Sequence, residues 1–127
     1  MKIEVLKTKI HLATVTSTDL HYEGSIAIDE KLCREAGLHP FERVDIYNCS
    51  TGARFSTYVI IGGAGEISLN GAAARLVHKG DLVIIASYAS IDEKEIADHK
   101  PVAIYVNPDN SLKLKKIASI YGSRTSV

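Results

Sequence analysis

The chain has no tryptophan, only two phenylalanines and two cysteines, and its 15 Lys plus Arg are balanced by 15 Asp plus Glu. Each shortage removes a class of function. With so few large aromatics there is little platform on which single-stranded bases could stack. A formal net charge of zero gives no general pull toward phosphate polymers or anionic bilayers, so neither nucleic acid nor membrane is an expected partner. Cys33 and Cys49 have neither the number nor the spacing of a disulfide framework or a zinc site, and are expected as reduced thiols. The longest apolar run, LVIIA at 82–86, is far below the roughly 20 residues that span a bilayer. The first twenty residues contain no apolar block of the signal-peptide kind. The expectation is a soluble, cytoplasmic protein. A length of 127 residues suits one domain, whose core must be filled by small and β-branched side chains.

What is present is a period of two. It runs through KIEVLKTKIHLATVT (2–16), GSIAID (24–29), RVDIYN (43–48), RFSTYVII (54–61), EISLN (66–70), LVIIASYAS (82–90) and PVAIYV (101–106), seven candidate strands. Two short helices are expected between them: 29–37, opened by an Asp N-cap and closed by Gly37, and 71–80, running from glycine to glycine. IDEKEIADH adds one or two helical turns. Turn signals recur at 48–52, 62–63, 65 and 108–110. Many short strands in so small a chain favour a closed or nearly closed β-barrel over a doubly wound α/β sheet, because closure removes edges. The lysine-bearing carboxyl end, SLKLKKIASIYGSRTSV, is expected to be a solvated strand edge and a tail.

One dipeptide stands out. Gly24-Ser25 opens the second strand pattern, where a Gly before a Ser ordinarily marks a bulge or tight corner. A second reading is chemical. A serine hydroxyl can attack the carbonyl of the preceding residue if the backbone is held strained, and glycine tolerates such strain at least steric cost. The resulting ester can undergo β-elimination to dehydroalanine, and hydrolysis with loss of ammonia leaves a pyruvoyl group, a ketone carried by the chain itself.

Other segments stand beside that dipeptide: KIH at 9–11, DLHYEGS at 19–25, AID at 27–29, GARFSTY at 52–58, NGAAA at 70–74 and GDLVIIASYA at 80–89. In order and spacing this set resembles the pyruvoyl-dependent aspartate 1-decarboxylases, and the likeness thins only after about residue 106. The resemblance implies a mainly β fold, a six- to seven-stranded double-psi β-barrel with a few short helices, over a single domain 1–127. It implies self-cleavage between Gly24 and Ser25 into a β chain of 1–24 and an α chain of 25–127. It implies decarboxylation of L-aspartate to β-alanine for pantothenate and coenzyme A synthesis. The covalent cofactor would be the pyruvoyl group derived from Ser25, forming a Schiff base with the substrate amine, with no metal and no pyridoxal phosphate. Homotetramers with sites between subunits are implied as well, and so is the maturation factor known for some members.

By the same resemblance Tyr58 is the proton donor to Cα, and Arg54 the two-point captor of a substrate carboxylate. Lys9 and His11 line the site, and as residues i and i+2 of a strand they are expected on one face. Thr57 serves self-processing and substrate binding. Gly71, Ala72 and Ala73 form a substrate-binding loop with open backbone N–H groups, while Tyr22 and Asn70 support the reacting centre. Without those neighbours, each of these residues would pass for an ordinary strand or turn residue.

Alternation puts Arg54, Ser56 and Tyr58 on one face and Phe55, Thr57 and Val59 on the other. Either the strand is bulged or the site is shared between subunits. Two positions depart from common members of the family: Leu12, where arginine often follows KIH, puts substrate affinity in doubt, and Tyr47 replaces a Trp of some members while keeping an aromatic wall. The competing expectations are a non-enzymatic double-psi barrel that recognises a partner and is never cleaved, and a metal enzyme using some of His11, His21, His39, His78 and His99, which lack HxxxH spacing. No G-x-S-x-G elbow supports a serine hydrolase.

Overall fold

The computed structural model describes residues 1–118. All seven predicted strands form, as β1 (Lys2–Thr14), β3 (Ser25–Asp29), β4 (Arg43–Asn48), β5 (Arg54–Gly62), β6 (Ile67–Asn70), β7 (Leu82–Asp92) and β8 (Val102–Val106). Two more join them. β2 (Ser17–Asp19) is three polar residues, too short to show a period, and β9 (Leu112–Ile117) is the expected lysine-bearing edge, paired antiparallel to β8. The remainder of the carboxyl tail lies outside the described residues.

The nine strands form one mixed sheet in the order β2-β6-β3-β5-β4-β7-β1-β8-β9, a small barrel-like β fold. Parallel pairs β1/β8, β2/β6 and β3/β5 are mixed with antiparallel ones, so strands distant in sequence lie side by side. Asn110 ties the two halves of the sheet: its amide accepts from Thr14 N and donates to Thr14 O and Gly65 O. Ile10, Ile26, Ile28, Ile46, Ile67, Ile85 and Ile104 are all fully buried in one cluster. Stiff branched side chains thus fill the space that large aromatics occupy in other cores.

β1 carries two irregularities in its pairing with β7. Leu6 pairs with Tyr88 and Thr8 with Ser87, so Lys7 is an extra residue, and its ammonium turns to the Glu42 carboxylate at 2.9 Å. Further on, Ile10 pairs with Ile85 and Ala13 with Val83, leaving His11 and Leu12 opposite Ile84 alone. Leu12 takes a left-handed backbone (φ 55°), a conformation that costs a non-glycine residue about 1–2 kcal/mol.

One of the expected helices is shorter than its sequence pattern. α1 (Glu30–Ala36) starts at the Asp29 cap, whose carboxylate accepts from Leu32 N, and stops at a left-handed Gly37. The segment expected as a helix over 71–80 is a 3₁₀ turn, Gly71–Leu76, ended by an extended Val77. Val77 is buried in the core, which fixes where that turn must unwind. A second 3₁₀ turn, Glu93–Asp98, is capped by Asp92.

Candidate active site

Ser25 begins β3 and is buried, pairing antiparallel with Asn70 at the end of β6. Its hydroxyl accepts a hydrogen bond from Asn70 Nδ2 at 3.0 Å and donates to the Glu23 carbonyl at 3.3 Å. Asn70, itself buried, also pairs in parallel with Asp19 of β2. The serine oxygen is therefore held on both sides.

Gly24 is approached by the turn that follows Asn70. Gly71 has φ +67°, and a Cβ placed on it would sit 2.7 Å from Gly24 Cα, 2.8 Å from Gly24 N and 3.2 Å from the Tyr22 carbonyl. Only glycine satisfies both the left-handed backbone and that approach. Tyr22, 56% exposed, borders a cavity of about 310 Å³ together with Asp19, Ile60, Glu66, Ser68 and Asn70. Ala72 and Ala73 continue the 3₁₀ turn from Gly71, Ala73 packing against the core.

The parallel register pairing Ile26 with Val59 sets Ser25, one step back, level with Tyr58 on β5. Over Arg54–Tyr58 the β4/β5 pairing has no register shift, so the strand is regular and not bulged. Thr57 pairs with buried Val44 and faces the core side, whereas Tyr58 pairs with exposed Arg43 and faces outward. Alternation thus separates these neighbours as the sequence pattern required. The Tyr58 ring lies against Phe41, centroids 6.3 Å apart. Phe41 was not singled out by sequence reasoning. It projects from a left-handed turn (φ 69°) whose N–H bonds Val59 O, and a bulky residue just after Pro40 is too weak a signal to find such a contact.

Arg54 on β5 and Lys9 and His11 on β1 lie apart from the Gly24 corner, with β4 and β7 between their strands. Arg54 pairs with Tyr47 across the sheet, its guanidinium 4.7 Å above that ring, and the Tyr47 hydroxyl meets the Tyr88 hydroxyl at 2.8 Å. Lys9 pairs with Ala86, which in turn pairs with Asp45, so Lys9 shares the outward face of the Arg54 side of the sheet. His11 packs against Tyr105 with the rings tilted by 59° and their centroids 5.5 Å apart, and its Nδ1 is buried without a hydrogen-bond partner. Burial first, and then the neighbouring Lys9 charge, lower the His11 pKa, so its imidazole is neutral at pH 7. The structure therefore brings Gly24, Ser25, Asn70 and Gly71 together, and sets Arg54 about 13 Å of strand away from Tyr58 (four residues at ~3.3 Å).

Among the described residues no three of His, Cys, Asp and Glu converge as metal ligands would, and no helix is long and apolar enough to cross a membrane. The arrangement offers instead a buried, doubly held hydroxyl beside a crowded glycine, with an outward phenol level with it. A family model described as aspartate decarboxylase matches residues 1–113. An aspartate 1-decarboxylase of Bdellovibrio bacteriovorus is 57% identical over 116 residues, covering 91% of this chain and 94% of the relative. One from Syntrophus aciditrophicus is 59% identical over 86% of this chain and 96% of its own. Another, from Ralstonia pickettii, is 49% identical over 91% and 98%.

Proposed function

Because the chain belongs to the aspartate decarboxylase family, we propose that it converts L-aspartate to β-alanine and CO2 by means of a pyruvoyl group made from its own Ser25. The product would feed pantothenate and coenzyme A synthesis in the cytoplasm. The observation that carries this reading is the 3.0 Å hydrogen bond from Asn70 Nδ2 to the buried Ser25 hydroxyl, within a strand pair that also binds the two backbones.

Self-processing needs the Ser25 hydroxyl to attack the Gly24 carbonyl carbon, with the Gly24–Ser25 C–N bond breaking and the freed amine taking up a proton. Loss of the Ser25 Cα proton and rupture of the Cβ–Oγ bond then leave Gly24 as a free carboxylate. One water replaces the nitrogen, released as ammonia, at the head of chain 25–127. Asn70 orients the nucleophile, and Gly71 holds Gly24 at its crowded corner. By the family resemblance Thr57 would polarise that carbonyl through its hydroxyl. The finished ketone supplies an electron sink for the pair left when CO2 departs.

The rest is done by side chains. Arg54 captures a substrate carboxylate with its planar fork, and Lys9 and neutral His11 line the same region. Backbone N–H groups of Gly71, Ala72 and Ala73 hold substrate without side-chain bulk. Tyr22 borders the entrance, and the Tyr58 phenol returns a proton to Cα. The family resemblance further implies a homotetramer with active sites between subunits, which would let the Ser25 group of one subunit meet the Arg54 group of another. Intact mass and a CO2 assay on Ser25→Ala test the whole reading: loss of both cleavage and decarboxylation is expected. Decarboxylation by an uncleaved Ser25→Ala protein would sink it.

A further inference from the structure

We propose that Tyr88 is a positioning residue for the substrate carboxylate, acting through Tyr47 on Arg54. This rests on the reading that Arg54 binds that carboxylate. Tyr47 and Arg54 are direct cross-strand partners, so both side chains stand on one sheet face, with the guanidinium 4.7 Å over the ring. On the other flank Tyr47 pairs with Ile84 and Asp45 with Ala86, which puts Tyr88 two residues beyond Ala86 on the same face. Ala86 has no bulk to separate the two rings. They lean across it until their hydroxyls meet at 2.8 Å.

The consequence is mechanical and electronic. A tyrosine on an open sheet surface can swing about χ1, and a cation–π contact weakens as the ring turns away from the cation. Here the Tyr47 ring is tethered at its far end, which presents a fixed face to Arg54. Arginine carries large rotamer entropy, and a ring that pre-aims its fork removes part of the ordering that substrate binding would otherwise require. The Tyr47 phenol is pushed up to about 12, first by its hydrogen bond with Tyr88 and then by burial, so it stays protonated and its ring stays electron-rich at neutral pH. Asp45 pushes it in the same direction, and Arg54 opposes. The hydrogen bond that Tyr88 makes is to the Tyr47 hydroxyl, so its influence on binding runs through that ring.

The test is steady-state kinetics with aspartate on self-cleaved Tyr88→Phe, Tyr47→Phe, the double variant and Arg54→Lys. Tyr88→Phe should raise KM roughly fivefold, about the worth of one exposed cation–π contact, with kcat and the extent of self-cleavage unchanged. Tyr47→Phe should do the same, and the double variant should be no worse than either single one, because both break one link. An alkaline absorbance titration should lose its phenol at about 12 in Tyr88→Phe. If Arg54→Lys leaves KM unaltered, the carboxylate reading fails and the relay with it. If Arg54→Lys raises KM but Tyr88→Phe does not, or if the two Phe effects multiply, Tyr88 has no positioning role.

Discussion

Gly71 lies so close to Gly24 that a methyl group on it would stand 2.7 Å from the Gly24 Cα, inside any normal contact distance. The two glycines are 47 residues apart in sequence (71 minus 24) and meet only because β6 pairs with β3. Replacing Gly71 by Ala has to displace the corner at Gly24 or distort the turn that opens the Gly71–Leu76 segment. With φ at +67° the substitution is strained in any case. The expected cost is on the order of 2–4 kcal/mol, together with a marked slowing of self-cleavage. A gel time course alongside a melting curve checks this, and prompt cleavage with an unchanged Tm would contradict it.

Asn70 gives a subtler test, since it touches the nucleophile directly. Asn70→Ala removes the amide that donates to Ser25 Oγ. Self-cleavage should slow by at least tenfold, the loss of one orienting hydrogen bond of about 1.5 kcal/mol. The rate at which intact chain disappears by mass spectrometry measures it. A cleavage rate matching the parent's would show that the contact is only structural.

Tyr58 separates processing from turnover. Its hydroxyl faces outward, on the opposite side of β5 from Thr57. Tyr58→Phe keeps the ring against Phe41 and should be cleaved normally. Decarboxylation should fall by about two orders of magnitude or more, as expected for the loss of a positioned proton donor. Ordinary CO2 release from the cleaved variant would remove Tyr58 from its role.

Glu42 is a stability element outside the reaction. Its carboxylate receives Lys7, Ser87 and the His39 amide. Burial pushes its pKa up, but the hydrogen bonds from Ser87, Lys7 and His39 outweigh burial and hold it below the ordinary 4.5. A carboxyl with a depressed folded pKa stabilises fully above its unfolded value, and the contribution is lost as pH falls through the folded one. Glu42→Gln should therefore cost about 1–2 kcal/mol near pH 7, a gap that closes below about pH 4.5. Urea unfolding at fixed protein concentration across pH 3–7 measures it, and a gap that does not narrow as pH falls below about 4.5 would refute the assignment.

Local signals carried much of the fold. Alternation marked seven strands, and Asp29 and Gly37 marked the ends of α1, because these depend on side-chain period and on a cap's own backbone. Alternation also anticipated that Thr57 and Tyr58 face apart, which the regular β4/β5 register bears out. The helix expected over 71–80 became a 3₁₀ turn because Val77 is drawn into the core, a pull no local propensity contains. Strand β2 escaped notice because three polar residues acquire their conformation from β6 alone.

By itself the sequence determined which chemistry was available: a Gly-Ser pair, a phenol, a guanidinium, and an isoleucine-rich alternation able to close a small sheet. Only the tertiary structure decided who meets whom. Asn70 reaches Ser25, Gly71 abuts Gly24 and Tyr88 tethers Tyr47 across separations of about 41–47 residues. Those meetings are set by strand order and register, which follow from burying all the apolar faces at once, so no local stretch of the chain contains them.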